Sequence, residues 1–207
     1  MALSTAFYFL LASSALTLSP GPDNTFVVAQ GLSRGRRAAV ITGWGMCSGV
    51  SIHTMAAAFG VSALLYSSAY AFNILKYAGA AYLLYLAYKA IREQQVLSLK
   101  TVDSEVSSFE LFRRGFIMNV INPKVALFFL AFLPQFVNRS AGHTVLQMLT
   151  LGAIFMVQAT FFFTIIGFLS GSLGNLIVQR PGISKWFSWL TAGVFTSLGL
   201  RLALSER

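Results

Sequence analysis

Almost the whole chain is built from apolar runs long enough to cross a lipid bilayer, and this limits its fold more than any motif does. A membrane helix needs about 20 mainly apolar residues. Six such runs follow one another: Leu3–Leu32, Ala38–Tyr66, Ala69–Ile91, Gly115–Val137, Val145–Leu173 and Trp186–Leu204. Between the third and fourth lies a polar stretch from Arg92 to Glu110; the other connections are short. A bilayer offers no hydrogen-bond partners to exposed backbone, so runs of this kind resolve into helices that satisfy their own peptide groups. The expected fold is an all-α membrane protein of about six transmembrane helices, one domain over residues 1–207. Charged residues make up 10% of the 207 residues, against about 25% in soluble domains, which leaves no room for a soluble catalytic domain. Met1 to Ala6 carries no positive charge, and the first run continues past any plausible cleavage point. It reads as a retained membrane helix rather than a leader.

The basic residues set an orientation. With six spans, the first, third and fifth connections share a face that holds Arg34, Arg36, Arg37, Lys89, Arg92, Lys100, Arg113, Arg114, Arg180 and Lys185. The opposite face has only Lys76, Arg139, Arg201 and Arg207. The positive-inside rule puts the first set in the cytoplasm and both termini outside. A net charge of +9 therefore reflects membrane topology, and no nucleic-acid partner is expected. Trp186, Trp189, Tyr66 and Tyr70 lie near run ends, where both an interfacial belt and ordinary helix packing account for them.

Two runs are interrupted in a matched way. The first breaks at Ser19-Pro20-Gly21-Pro22-Asp23-Asn24 and the fourth at Asn122-Pro123-Lys124. Each half also closes with a Gly-containing helix that ends basic, Tyr77-Ala78-Gly79 through Lys89 and Thr191-Ala192-Gly193 through Arg201. Three spans per half makes any repeat inverted, with halves 1–92 and 112–207 joined by a polar cytoplasmic loop, 93–111. Inverted repeats with paired broken helices are a transporter architecture that binds its solute where the breaks meet.

Asp23 is the one acidic residue inside an apolar run. An ionised carboxylate there costs about 2.5–3.5 kcal/mol or more, so it needs a cation, hydrogen-bond donors or a proton. Prolines lack the amide donor and clash with the preceding turn, so Pro22 and Pro123 should each break a helix and free backbone groups. Asp23 then begins a new helical piece, where the positive helix end favours a carboxylate. Capping and a substrate or proton site are both open, and they are compatible. Lys124 is its basic counterpart, either snorkelling to an interface or pairing with Asp23 in the empty protein and separating to hold a zwitterion. His53 can relay protons or serve as a buried structural histidine. Asn24, Thr25, Gln30, Asn119, Asn122 and Gln158 can line a cavity or bond between helices.

No metal site is expected, because His53 and His143 make no ligand spacing, and no cofactor is expected. The lone Cys47 has no disulfide partner. Gly45-Met46-Cys47-Ser48-Gly49 and Gly167-Phe168-Leu169-Ser170-Gly171 match small-xxx-small packing, within one subunit or across a homodimer. No Walker sequence is present, so the chain encodes no ATP-driven pump.

At these residues the sequence resembles the LysE/RhtB family of amino-acid exporters. The resemblance rests on Leu18-Ser19-Pro20-Gly21-Pro22-Asp23-Asn24, Gly31-Leu32-Ser33-Arg34-Gly35, Gly43-Trp44-Gly45 with Gly49, Arg114-Gly115-Phe116 through Asn119 to Asn122-Pro123-Lys124, and Phe132-Leu133-Pro134-Gln135-Phe136. It covers about residues 15–200. It implies an efflux carrier in the bacterial cytoplasmic membrane, driven by the proton motive force, with amino acids such as homoserine, threonine, leucine or lysine, or related metabolites, as substrates. Two other classes compete. An intramembrane enzyme would use Asp23 as acid or base, but normally needs partnered groups in reach. A non-transporting membrane subunit would have no reason to set a lone carboxylate beside a helix break. One acid and one base in an apolar cavity suit a neutral zwitterion.

Overall fold

The computed structural model describes residues 3–19, 21–61, 63, 69–92, 106–178 and 181–204. Tyr66, Lys100, Arg180, Arg207 and most of the polar stretch lie outside the described residues, as do the side chains of Arg139, Lys185 and Trp186. Every regular element among the described residues is helical. The chain is an all-α membrane protein.

The first run is two helices, α1 (Leu3–Leu18) and α2 (Pro22–Arg34). After the Gly35 corner comes α3 (Arg36–Met55), which continues into a π-helical turn, Ala56–Val61. The third run is α4 (Ala69–Arg92). The fourth is again divided, into α5 (Ser108–Val120) and α6 (Pro123–Leu127). α6 runs on through a π turn, Phe128–Phe132, and a 3₁₀ turn, Leu133–Phe136. The two pieces are bent by 50° at the break. The last two helices are α7 (Thr144–Val178) and α8 (Pro181–Leu204).

Length and hydropathy alone give a more uneven picture than the six runs suggest. Among the described residues Thr144–Ser170 meets the spanning requirement by itself, and the bent pair Ser108–Val120 with Pro123–Phe136 meets it jointly. Ser4–Leu18 and Ser188–Leu204 are apolar but shorter. α3 carries polar and small residues, Thr42, Gly45, Gly49 and His53 among them, that are buried in the interior. The lipid-facing character is plainest on α7. Leu146, Val157, Phe161 and Phe168 are all at least half exposed at spacings that share one helical face, an apolar surface suited to lipid.

The interior is assembled around α3. It runs beside α5, where a Cβ on Gly45 would fall on the carbonyl of Phe112 and one on Gly115 on the carbonyl of Thr42. It crosses α7 in the opposite sense, because Thr54 meets Gly152 near the start of α7 and Val40 meets Gly167 further along. Trp44 Nε1 donates to Thr164 Oγ1 at 3.0 Å across the same contact. The Gly45–Gly49 and Gly167 positions are thus occupied by packing within the chain. α4 packs against α8, with Gly199 against Ala80 and Leu84, while α1 and α2 pack on α7. A ring cluster, Phe9, Phe128, Phe129, Phe136 and Phe155, with centroids 5.0 to 6.2 Å apart, ties α1, the continuation of α6 and α7 together.

Arg34, Arg37, Arg113 and Arg114 gather where the α2–α3 corner meets the start of α5. Arg34 and Arg37, at the α2–α3 corner, share a surface cleft with Val106, Ser107 and Ser108 at the start of α5. Beside it Glu110 pairs with Arg113 and Arg114, each at 2.8 Å. Lys76, like Lys124, is a basic side chain buried inside an apolar run. It is 7% exposed within α4, with its ammonium 4.6 Å from the centroid of the Tyr77 ring.

Candidate functional site at the two helix breaks

The two breaks are built alike. In each, proline takes the first helical position, where its missing N–H is no loss, and the charged residue comes second. Gly21 caps α2 ahead of Pro22 and Asp23; Asn122 caps α6 ahead of Pro123 and Lys124. Both prolines are exposed, while both charged side chains turn inward, Asp23 to 4% exposure and Lys124 to 6%.

Proline also has an effect four residues back. An amide normally bonds the carbonyl four positions earlier, so Pro20 frees the carbonyl of Leu16 and Pro123 that of Asn119. Each oxygen accepts from a neighbour in sequence, Ser19 Oγ on Leu16 O at 2.7 Å and the Asn122 amide on Asn119 O at 2.9 Å, and also meets a side chain from the other half. Lys124 Nζ donates to Leu16 O at 3.3 Å, and also to Ser19 Oγ at 3.1 Å and Ser19 O at 3.4 Å. His53 Nε2 lies 3.0 Å from Asn119 O. A carbonyl oxygen only accepts, so Nε2 carries the proton and His53 acts here as a donor. The end of α1 is closed by Asn24, whose Nδ2 donates to Thr17 O at 2.9 Å and Ser19 O at 2.8 Å.

Asp23 reaches across rather than capping its own helix. No side-chain capping bond is made at the start of α2. Instead Asn122 Nδ2 donates to Asp23 Oδ1 at 2.6 Å, while Asn122 Oδ1 accepts the amide of Lys124 at 2.9 Å. Asn122 is therefore the bridge between the breaks. Asn119, 2% exposed, lines the same small cavity as Asp23, and its Oδ1 is buried there without a hydrogen-bond partner. The ion pairs within 4.0 Å among the described residues join Glu110 to Arg113 and Arg114; Asp23 and Lys124 are not in such contact. They face one small cavity, with Asn119 completing its polar wall and Met46, Val50 and Phe155 its apolar wall. Its volume is about 10 Å³, the space of a single water. The space between the two charges admits nothing larger than water in this structure.

Of the residues singled out in the sequence, Asp23, Asn119, Asn122 and Lys124 meet at this centre, and Pro22, Pro123, Asn24 and His53 hold its backbone. Thr25 bonds the Gly21 carbonyl of its own helix at 2.9 Å and Gln30 accepts from Arg34 at 2.8 Å, away from the centre. Gln158 Nε2 donates to Thr17 Oγ1 at 3.2 Å, joining α7 to α1. Ser19 and the Leu16 carbonyl are the partners the sequence reading missed. The signal for them was present, since Pro20 stands four residues after Leu16.

A family model, LysE type translocator, matches residues 14–206. The chain belongs to the LysE type translocator family. Among curated relatives of this translocator, an uncharacterized membrane protein of Vibrio cholerae is 31% identical over 199 residues, 96% of both chains. A homoserine/homoserine lactone efflux protein of Salmonella typhimurium is 37% identical over 131 residues, 63% of this chain and 64% of that protein. A membrane protein of Bacillus subtilis is 25% identical over 95% of this chain and 97% of its own. No solved structure matches. The matched span takes in both breaks, so the translocator's centre lies inside the family's common region.

Proposed function

We propose that this translocator is a secondary exporter of amino acids or closely related small zwitterions across the bacterial cytoplasmic membrane. The observation that carries the reading is a buried acid and a buried base at facing helix breaks, held by neutral partners rather than by each other. Lys124 is satisfied by three oxygens of the α1 end and Asp23 by the Asn122 side-chain amide. A zwitterion replaces those partners with its own carboxylate and ammonium, so each charge stays paired as the breaks separate. The efflux activity named for the Salmonella relative supports a homoserine-like solute.

Energy comes from the proton motive force in this reading, with Asp23 taking a proton when the substrate ammonium leaves. The pairings of α3 with α7 and α4 with α8, and of each divided helix with the middle helix of the other half, support six spans in an inverted repeat, halves 1–92 and 112–207. The α2–α3 corner, with its arginines, then faces the cytoplasm and both termini face outward. A homodimer would have to use faces other than the buried glycine positions of α3.

The test is flux in sealed vesicles. Wild-type protein should show saturable, gradient-dependent counterflow of a neutral amino acid. Asp23→Asn and Lys124→Gln should each insert normally and lose it. Absence of wild-type counterflow across a panel of amino acids would overturn the proposal.

A further inference from the structure

An elongated groove runs between α1 and α8. Its volume is about 400 Å³, within the range of small-molecule sites. On α1 it is lined from Tyr8 to Ser19, about 16 Å of helix at 1.5 Å per residue. Most of its wall is apolar. Ala12 and Ala15, one turn apart, keep the α1 side wide, and Val194 and Leu198 face them from α8. At the Tyr8 end stands the Arg201 guanidinium, 5.8 Å from the centroid of the Tyr8 ring. The other end is Ser19, whose hydroxyl accepts from Lys124 Nζ at 3.1 Å. The groove therefore begins one hydroxyl away from the buried base.

We propose that this groove is the side-chain subsite of the exporter and selects amino acids with extended apolar side chains. The inference deepens the exporter reading and rests on it. The space between the two charges is about 10 Å³, that of one water, and has no room for a side chain. A substrate carboxylate that reaches Lys124 takes the place of the Ser19 and Leu16 oxygens. It then lies against the Ser19 end of the groove, with the ammonium directed to Asp23. The remaining large substituent of the α-carbon is left with the groove. Because the wall is apolar, binding there removes aliphatic surface from water, worth about fourfold in affinity for each buried methylene. A homoserine-sized chain fills a small part of the groove and a longer aliphatic chain fills more. Ser19 favours the substrate over a lipid acyl chain as occupant, since a solute held at Lys124 enters the groove from its polar end.

Counterflow in proteoliposomes with alanine, aminobutyrate, norvaline and norleucine, each one methylene longer than the last, tests this. In the wild type the half-saturating concentration should fall about fourfold at each step. Ala15→Leu fills the groove from the α1 side and should flatten the series, raising the norleucine value about tenfold relative to alanine. Val194→Ala widens it from the α8 side and should lower the phenylalanine value several-fold relative to norleucine. The readout is a ratio between substrates, which poorer folding or insertion does not move. If Ala15→Leu transports nothing, the Val194→Ala ratio decides. A flat wild-type series, or variants that scale every substrate by one factor, would overturn the proposal. It also falls if the ratios follow the acyl-chain length of the liposome lipid, because the groove then holds lipid. If the wild type shows no counterflow with any amino acid, the exporter reading itself has failed.

Discussion

Asp23 and Lys124 hold equivalent places in their helices, yet the same place suits one and opposes the other. The positive end of a helix favours a carboxylate by about 0.3–1 kcal/mol and disfavours an ammonium by a similar amount. Lys124 offsets this by leaving its own helix and resting its charge on the carbonyl end of α1, the negative end of another helix. Asn122 secures the other charge. Replacing it with leucine takes away a hydrogen bond to a charged group, worth about 1.5–3 kcal/mol, and should lower the unfolding midpoint of the detergent-solubilised protein. Asn122→Asp should damage transport more than stability, since it sets a second carboxylate 2.6 Å from the first; counterflow and thermal unfolding measured together separate the two. The two charges were legible in the sequence because a charge in an apolar run is conspicuous. Their partners were legible only in part: Pro20 marks the Leu16 carbonyl as lacking its usual helical donor, but that Lys124 is what reaches it and Ser19 follows only once the end of α1 is known to face α6.

At the scale of elements, the breaks followed from proline, but the packing that positions them did not follow from composition. Glycines at 79 and 193 sit in similar sequence surroundings, and the structure uses them differently. A Cβ at Gly79 would fall on Ala131, whereas nothing lies within 4 Å of one at Gly193. Hydropathy cannot separate such positions, because the difference lies in the neighbouring helix. Gly115→Ala should therefore destabilise by about 1–3 kcal/mol, the usual cost of overpacking, because the methyl group meets the Thr42 backbone rather than a movable side chain. Gly193→Ala should be neutral or stabilising by about 0.5–1 kcal/mol, the helix-propensity difference. Unfolding of the two variants side by side in one detergent gives the comparison. The π turns at Ala56–Val61 and Phe128–Phe132 left no mark in the apolar pattern either, since both fall in uniformly hydrophobic stretches.

For the molecule as a whole, the central claim is that a closed centre opens alternately around one acid and one base. The chain carries a built-in reporter, since its single cysteine, Cys47, is buried and lines the closed cavity. A hydrophilic thiol reagent should label it slowly in resting membranes and several-fold faster during turnover, with a non-transported analogue giving no change. Labelling at one constant rate in every condition would mean that the centre does not open. The most direct measurement is amino-acid counterflow in proteoliposomes carrying the double variant Asp23→Asn with Lys124→Gln. If the buried charges hold the zwitterion, saturable counterflow is lost while the protein remains inserted and folded. Counterflow at the wild-type rate would contradict the account at its centre.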